Sequence, residues 1–213
     1  MISIACSGFP IPASRYFQEF RALEIADTEL GLPGSGTLRR WLREATPQFA
    51  FSVVAPKQIA GSGFSLEPGM KQAVSAVASF TKQLKGQAVV FAATDDFKPT
   101  RPNRSKLRAF AEHAATQIKR PVFDLPAWSR KEAASTLKQL EVYLAFDPLV
   151  EAPDDDGFAY ARMAGPSGYR SRYDNAALDR VVEHCQRSTA KHTFVAFRNI
   201  DCYENSRYVL SRL

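Results

Sequence analysis

The sequence predicts an α/β fold, a compact (β/α)8 barrel. Three observations predict it: eight short apolar runs, helix-forming stretches between them, and a length of 213 residues that suits one barrel domain. The runs cover residues 2–5, 22–25, 49–55, 88–92, 121–125, 142–146, 158–163 and 193–197. Helical periodicity covers 14–20, 35–44, 69–84, 105–119, 129–140, 175–187 and 206–213, where small and apolar residues recur at three- and four-residue spacing. In the second of these, Leu38, Trp41, Leu42 and Ala45 share a face. Asn103 and Ser129 are the expected N-caps of the helices at 105–119 and 129–140. Between the sixth and seventh runs stand two prolines and the acidic run Asp154-Asp155-Asp156, which predict a loop and a short or missing helix. No internal repeat or linker interrupts the chain, so one domain is expected over residues 1–213.

Composition narrows the class. At 45% hydrophobic and 23% charged residues the chain has ample apolar material for a continuous core. The net charge of +6 makes a mild positive field that attracts anions, including nucleotides, phosphosugars and nucleic acid. Basic residues run from Arg15 to Arg212 without a long cluster, a pattern closer to a solvated surface than to a nucleic-acid footprint. Cys6, Cys185 and Cys202 are odd in number and lack metal-ligand spacing, which favours a reducing, cytoplasmic setting over a disulfide framework. Residues 1–6 place a small residue before a cysteine, as lipoprotein signals do, but without a basic start or a long apolar stretch they read as the first strand. No apolar run approaches the roughly 18 residues of a membrane helix.

A barrel carries its active site at the C-terminal ends of its strands. Side chains expected there include Ser7, Glu24, Asp27, Asp95, Asp96, Asp124, Asp147, Arg162, Arg198, Asn199 and Asp201. Glu24 and Asp147 are the candidate acid and base for a hydrolysis or isomerisation, or as oxygen ligands could bind a hard cation such as Mg2+; no cofactor is otherwise implied. Aspartates also cap helices and turns after strands, so either carboxylate could be structural. Zinc is disfavoured because only three histidines are present and none falls near the C-terminal face: His113 and His184 lie within helices, and His192 opens the eighth run. The glycines of residues 31–36 match neither the dinucleotide fingerprint nor the P-loop and read as a turn into the second helix.

Residues 165–172, Gly-Pro-Ser-Gly-Tyr-Arg-Ser-Arg, follow the seventh run, where barrels often hold phosphate. Ser167 and Gly168 would supply backbone amides and Arg170 and Arg172 charge, with Arg162, Ser7 and Asn199 beside them. An ordinary exposed turn is the competing reading of this segment.

In order along the chain, several short motifs resemble the YecE-like family, known as domain of unknown function 72. They are Cys6-Ser7-Gly8-Phe9, Leu23-Glu24-Ile25, Pro33 with Trp41, Phe49, Phe51 and Pro56, Trp128, Tyr160-Ala161-Arg162 with Gly165-Pro166, and Phe197, Asn199 and Asn205. The resemblance implies a TIM barrel. Against the family pattern, polar groups are lost: Val54 stands for a lysine, Ala60-Gly61 for Thr-His, Ala92 for a glutamine, Val122 and Asp124 for a Glu-x-Arg pair, and Ala164 for a histidine. The expected ligand is a small anionic or phosphorylated molecule at the C-terminal face, with catalysis undecided and the oligomeric state unread. The alternative is a non-catalytic module for nucleic acid or a protein partner, with a degenerate pocket and no membrane role.

Overall fold

A computed structural model describes residues 1–151 and 157–213. The acidic run Asp154-Asp155-Asp156 lies outside them. Among the described residues, eight parallel strands close a barrel in sequence order: β1 (Ile2–Ser7), β2 (Ala22–Ile25), β3 (Ala50–Val54), β4 (Ala88–Ala92), β5 (Pro121–Asp124), β6 (Tyr143–Phe146), β7 (Phe158–Met163) and β8 (His192–Phe197). The helices are α1 (Ala13–Glu19), α2 (Ser35–Glu44), α3 (Lys57–Gly61), α4 (Pro68–Gln83), α5 (Arg101–Ala115), α6 (Arg130–Leu137), α7 (Asn175–Arg187) and α8 (Cys202–Leu210). A 3-10 turn covers Asp27–Glu29. The eight expected strands form, and the described part of the β6–β7 connection contains a turn and no helix. The five-residue α3 is the one helix the periodicity does not announce. Asn103 is not an N-cap: α5 starts earlier, with Thr100 capping through its hydroxyl and Pro102 in the first turn, where a missing N–H costs nothing. Ser129 caps α6 as expected and exchanges bonds with Glu132 in a capping box. No described helix is long and apolar enough to cross a membrane.

By their contacts the residues fall into two compact units. The first comprises Met1–Ile25, Arg39–Ala50 and Ala145–Leu213. Its strands are in parallel register, with Ser7 opposite Glu24, Cys6 opposite Phe197 and Arg162 opposite Ala196. Side chains alternate across a strand. On the inner face Tyr160 stacks on Phe194 at 4.9 Å and 6°, and Phe158 meets His192 edge-on. On the outer face Tyr16 stacks on Phe20, Phe17 meets Phe49 edge-on and Phe9 packs tilted against Trp41 in an aromatic layer under α1 and α2. Cys6, Cys185 and Cys202 are buried free thiols.

The second unit comprises Ala26–Leu38 and Phe51–Leu144. Phe91 and Phe123 stack at 5.3 Å and pack on Phe110 of α5, which fixes them as outward-facing. Strand alternation therefore turns Val90, Ala92, Val122 and Asp124 to the barrel interior, and register puts Val54 beside Val90. Val54, Ala92 and Val122 thus present aliphatic surface on the inner face.

Candidate functional site

The C-terminal ends of β1, β2, β7 and β8 converge on one buried carboxylate. Glu24 is fully buried and accepts four hydrogen bonds, two on each oxygen. Oε1 takes Ser7 Oγ at 2.6 Å and Arg162 Nη2 at 3.0 Å; Oε2 takes Arg162 Nε and Tyr160 Oη, each at 2.9 Å. The guanidinium thus grips the carboxylate side-on, with 2% of the Arg162 side chain exposed. Burial alone pushes the Glu24 carboxyl up. The Arg162 and Arg198 guanidiniums and the bonds from Arg162 and Ser7 outweigh it, so the group lies below the usual carboxylate range and is ionised. Arg198, first residue after β8, is half-buried and joins β7 through its N–H to Met163 O at 2.8 Å. Two guanidiniums therefore face one carboxylate.

This arrangement gives Glu24 a positioning task. All four of its lone-pair directions are filled, so neither a proton nor a metal ion can be taken up without displacing a partner. Asp147, at the end of β6, has different surroundings. Half-buried, it accepts from the Leu149 N–H at 2.9 Å; burial raises its carboxyl, against the Leu149 bond and Arg180. Among the described residues no group of three or more His, Cys, Asp or Glu side chains is arranged to hold a metal ion.

The loop after β7 is knitted to itself. Ser167 N–H donates to Ser171 Oγ at 2.9 Å, Gly168 N–H to Gly165 O at 3.2 Å, and Ser171 Oγ to Gly168 O at 2.6 Å. The amides of Ser167 and Gly168, which the sequence offers to an anion, are engaged in the turn. Asn199 is likewise a strut: with 1% of its surface exposed, it donates to Ser171 O at 3.0 Å and accepts from Asn205 at 2.9 Å. Arg172 reaches Asp201 at 3.0 Å, and Arg170 is exposed on the rim. Tyr160 and Arg198 complete the centre without having been assigned a role from sequence. The available signal was Tyr160-x-Arg162, two polar tips on one face of a buried strand.

Gly165 has φ +96°, and a Cβ there would sit 2.3 Å from Gly168 O; Gly168, at φ +92°, has open space. Gly165→Ala therefore meets backbone as well as strain, and Gly168→Ala strain alone, about 1–2 kcal/mol. In urea unfolding the first variant is expected to lose the more stability of the two.

The family model described as protein of unknown function DUF72 matches residues 13–212. The chain belongs to the DUF72 family. A DUF72 protein from Enterococcus faecalis V583 is similar in structure with a TM-score of 0.84 at 15% identity, covering 100% of this chain and 95% of that one. Another, from Thermotoga maritima MSB8, has a TM-score of 0.76 at 17% identity, covering 100% and 97%. D-Psicose 3-epimerase with D-tagatose, from Clostridium cellulolyticum H10, shares the barrel at a TM-score of 0.62 and 13% identity, covering 99% and 96%. No curated protein matches the chain.

Proposed function

We propose that this DUF72 barrel binds a small anionic or phosphorylated molecule at the C-terminal ends of β1, β2, β7 and β8, in a reducing, cytoplasmic setting. The observation that carries the reading is the buried Glu24 held ionised by two guanidiniums, one of them locked away and the other, Arg198, half-exposed beside it. Barrels place their ligands at this end, and a few convergent polar groups in an apolar wall are what orient a bound molecule. Arg198 is the principal contact, Arg170 and Ser167 form the rim, and Glu24, Arg162, Tyr160 and Ser7 are the rigid support. Binding is favoured over turnover because the Glu24 lone pairs are occupied.

The test is a thermal-shift and calorimetric titration with inorganic phosphate and hexose phosphates, using D-tagatose as an uncharged control. A ligand at a hundred times its Kd stabilises the folded state by about 2.7 kcal/mol. The expected result is a shift with a phosphate ester that survives moderate salt, is absent with D-tagatose, and falls about tenfold or more in affinity in Arg198→Ala. An undiminished shift in Arg198→Ala overturns the reading. So does binding only to DNA with a steep salt dependence, which belongs to a nucleic-acid module.

A further inference from the structure

At the N-terminal ends of β4 and β5, where a barrel's face ordinarily serves stability, a cleft of about 410 Å3 opens in the second unit. It lies between the C-terminal end of α4 with the turn into β4, and the segment leading from α5 into β5. Lys82, Lys85, Lys119 and Arg120 line it, together with Gln87 and Gln117, and no carboxylate does. The sequence explains the imbalance: no acidic residue occurs between Glu67 and Asp95, and Glu112, the acid of α5, pairs with Arg108 at 3.3 Å. Arg120 Nη1 donates to Gln87 Oε1 at 3.0 Å and ties the two walls together.

Basic residues near a helix C-terminus favour the helix dipole, which accounts for Lys82 on its own. It does not account for Lys85. That residue occupies the left-handed position that closes α4, at φ +56°, with its N–H bonded to Lys82 O and the Gly86 N–H bonded to Thr81 O. This is the Schellman ending, in which glycine is the unstrained choice. The adjoining Gly86 cannot move its side: a Cβ there would stand 2.7 Å from Thr81 Cγ2. A lysine held against backbone preference, projecting from the rim of an acid-free cleft, is the kind of local strain that accompanies a binding role.

We infer that this cleft is a second anion site, for a small molecule carrying two or more phosphate groups. Its cations converge from two chain segments on one pocket, unlike the extended basic track that a nucleic-acid backbone requires. Its volume falls in the range of pockets for nucleotide-sized ligands.

The experiment is calorimetric titration with inorganic tripolyphosphate at physiological ionic strength, with orthophosphate and a single-stranded oligonucleotide as comparison probes. Lys82→Gln/Lys119→Gln is expected to weaken tripolyphosphate binding by about tenfold or more. The exposed pair Lys106→Gln/Lys131→Gln, away from the cleft, is expected to change it by less than about twofold, the size of a diffuse charge effect. Lys85→Gly separates binding from structure, because it relieves the left-handed strain: the melting temperature rises while affinity falls. The titrations are made on the Arg198→Ala variant, which lacks the principal contact of the proposed Glu24–Arg162 site, so that the binding of tripolyphosphate and of orthophosphate read there belongs to the cleft. The inference is overturned by no detectable binding, by equal loss in the control pair, or by orthophosphate binding as tightly as tripolyphosphate. An oligonucleotide that outcompetes tripolyphosphate with affinity rising with its length also overturns it, in favour of nucleic acid.

Discussion

Arg162→Met is expected to destabilise the protein by about 3–5 kcal/mol, a large share of the roughly 5–15 kcal/mol that holds a typical domain together. The reason is the charge it strands. Glu24 is completely buried, and Arg162 supplies two of its four hydrogen bonds and the nearest positive charge. Methionine fills much of the volume but leaves an ionised carboxylate with the hydrogen bonds of Ser7 and Tyr160 and only the charge of the half-buried Arg198 to offset its burial. The measurement is urea unfolding, in which the midpoint falls with little change in slope. A double variant, Glu24→Leu/Arg162→Met, is expected to recover part of the loss, because replacing both members of a buried pair removes the uncompensated charge. A loss below about 1 kcal/mol in the single variant, the range of exposed pairs, would mean that water reaches Glu24.

The same pair sets part of the acid limb of stability. The folded Glu24 carboxyl lies below its unfolded value. Its contribution is therefore complete above the unfolded value of about 4.3 and is lost as pH falls through the lower folded value. Asp147 works in the opposite sense, since its carboxyl is raised in the fold and its ionisation above the unfolded value costs stability. Comparing the wild type with Glu24→Gln isolates the first effect: the variant is less stable at neutral pH and its stability declines less steeply in acid.

Strands were legible in this sequence because the barrel buries them as compact apolar runs, and β2, β4 and β7 have the limits read for them. Helix ends were less so. The start of α5 was hidden by Arg101-Pro102, which reads as a break until Pro is recognised as a first-turn residue. The turn of α3 is shorter than any window in which a helical period can show. At the site, Ser7, Glu24 and Arg162 were visible as polar residues in otherwise apolar strands. Their pairing was not, because Glu24 and Arg162 are 138 positions apart and meet only when the barrel curls. The loop at 165–172 was legible as a turn, yet the use of its amides depends on where the Ser171 hydroxyl points, which no residue pattern encodes.

Tyr16 shows the same limit in a residue that sequence reading passed over, and Tyr16→Phe is the second variant expected to have a large effect. It sits in α1 behind the sheet with no exposed surface. Its hydroxyl accepts from the Cys6 N–H at 3.0 Å and donates to Ala22 O at 2.8 Å, bridging β1 and β2 where a direct ladder bond would otherwise run. The ring is fixed by stacking on Phe20 at 4.5 Å and by the edge of Phe9 at 5.5 Å, so phenylalanine would fit the same space. What it removes is a single oxygen, leaving one buried donor and one buried acceptor without that partner at roughly 1–3 kcal/mol for each. Loss of the bridge also loosens the start of the β1–β2 ladder, one register step below the pair Ser7 and Glu24. The expected result is a fall in unfolding free energy comparable to that of Arg162→Met, with faster amide hydrogen exchange at Cys6 and its neighbours in β1. A fall of under about 0.5 kcal/mol, the size of an ordinary surface change, would show that β1 and β2 close on each other without the phenol. The site at the end of these strands would then owe its geometry to the Glu24–Arg162 pair alone, and not to the aromatic layer behind it.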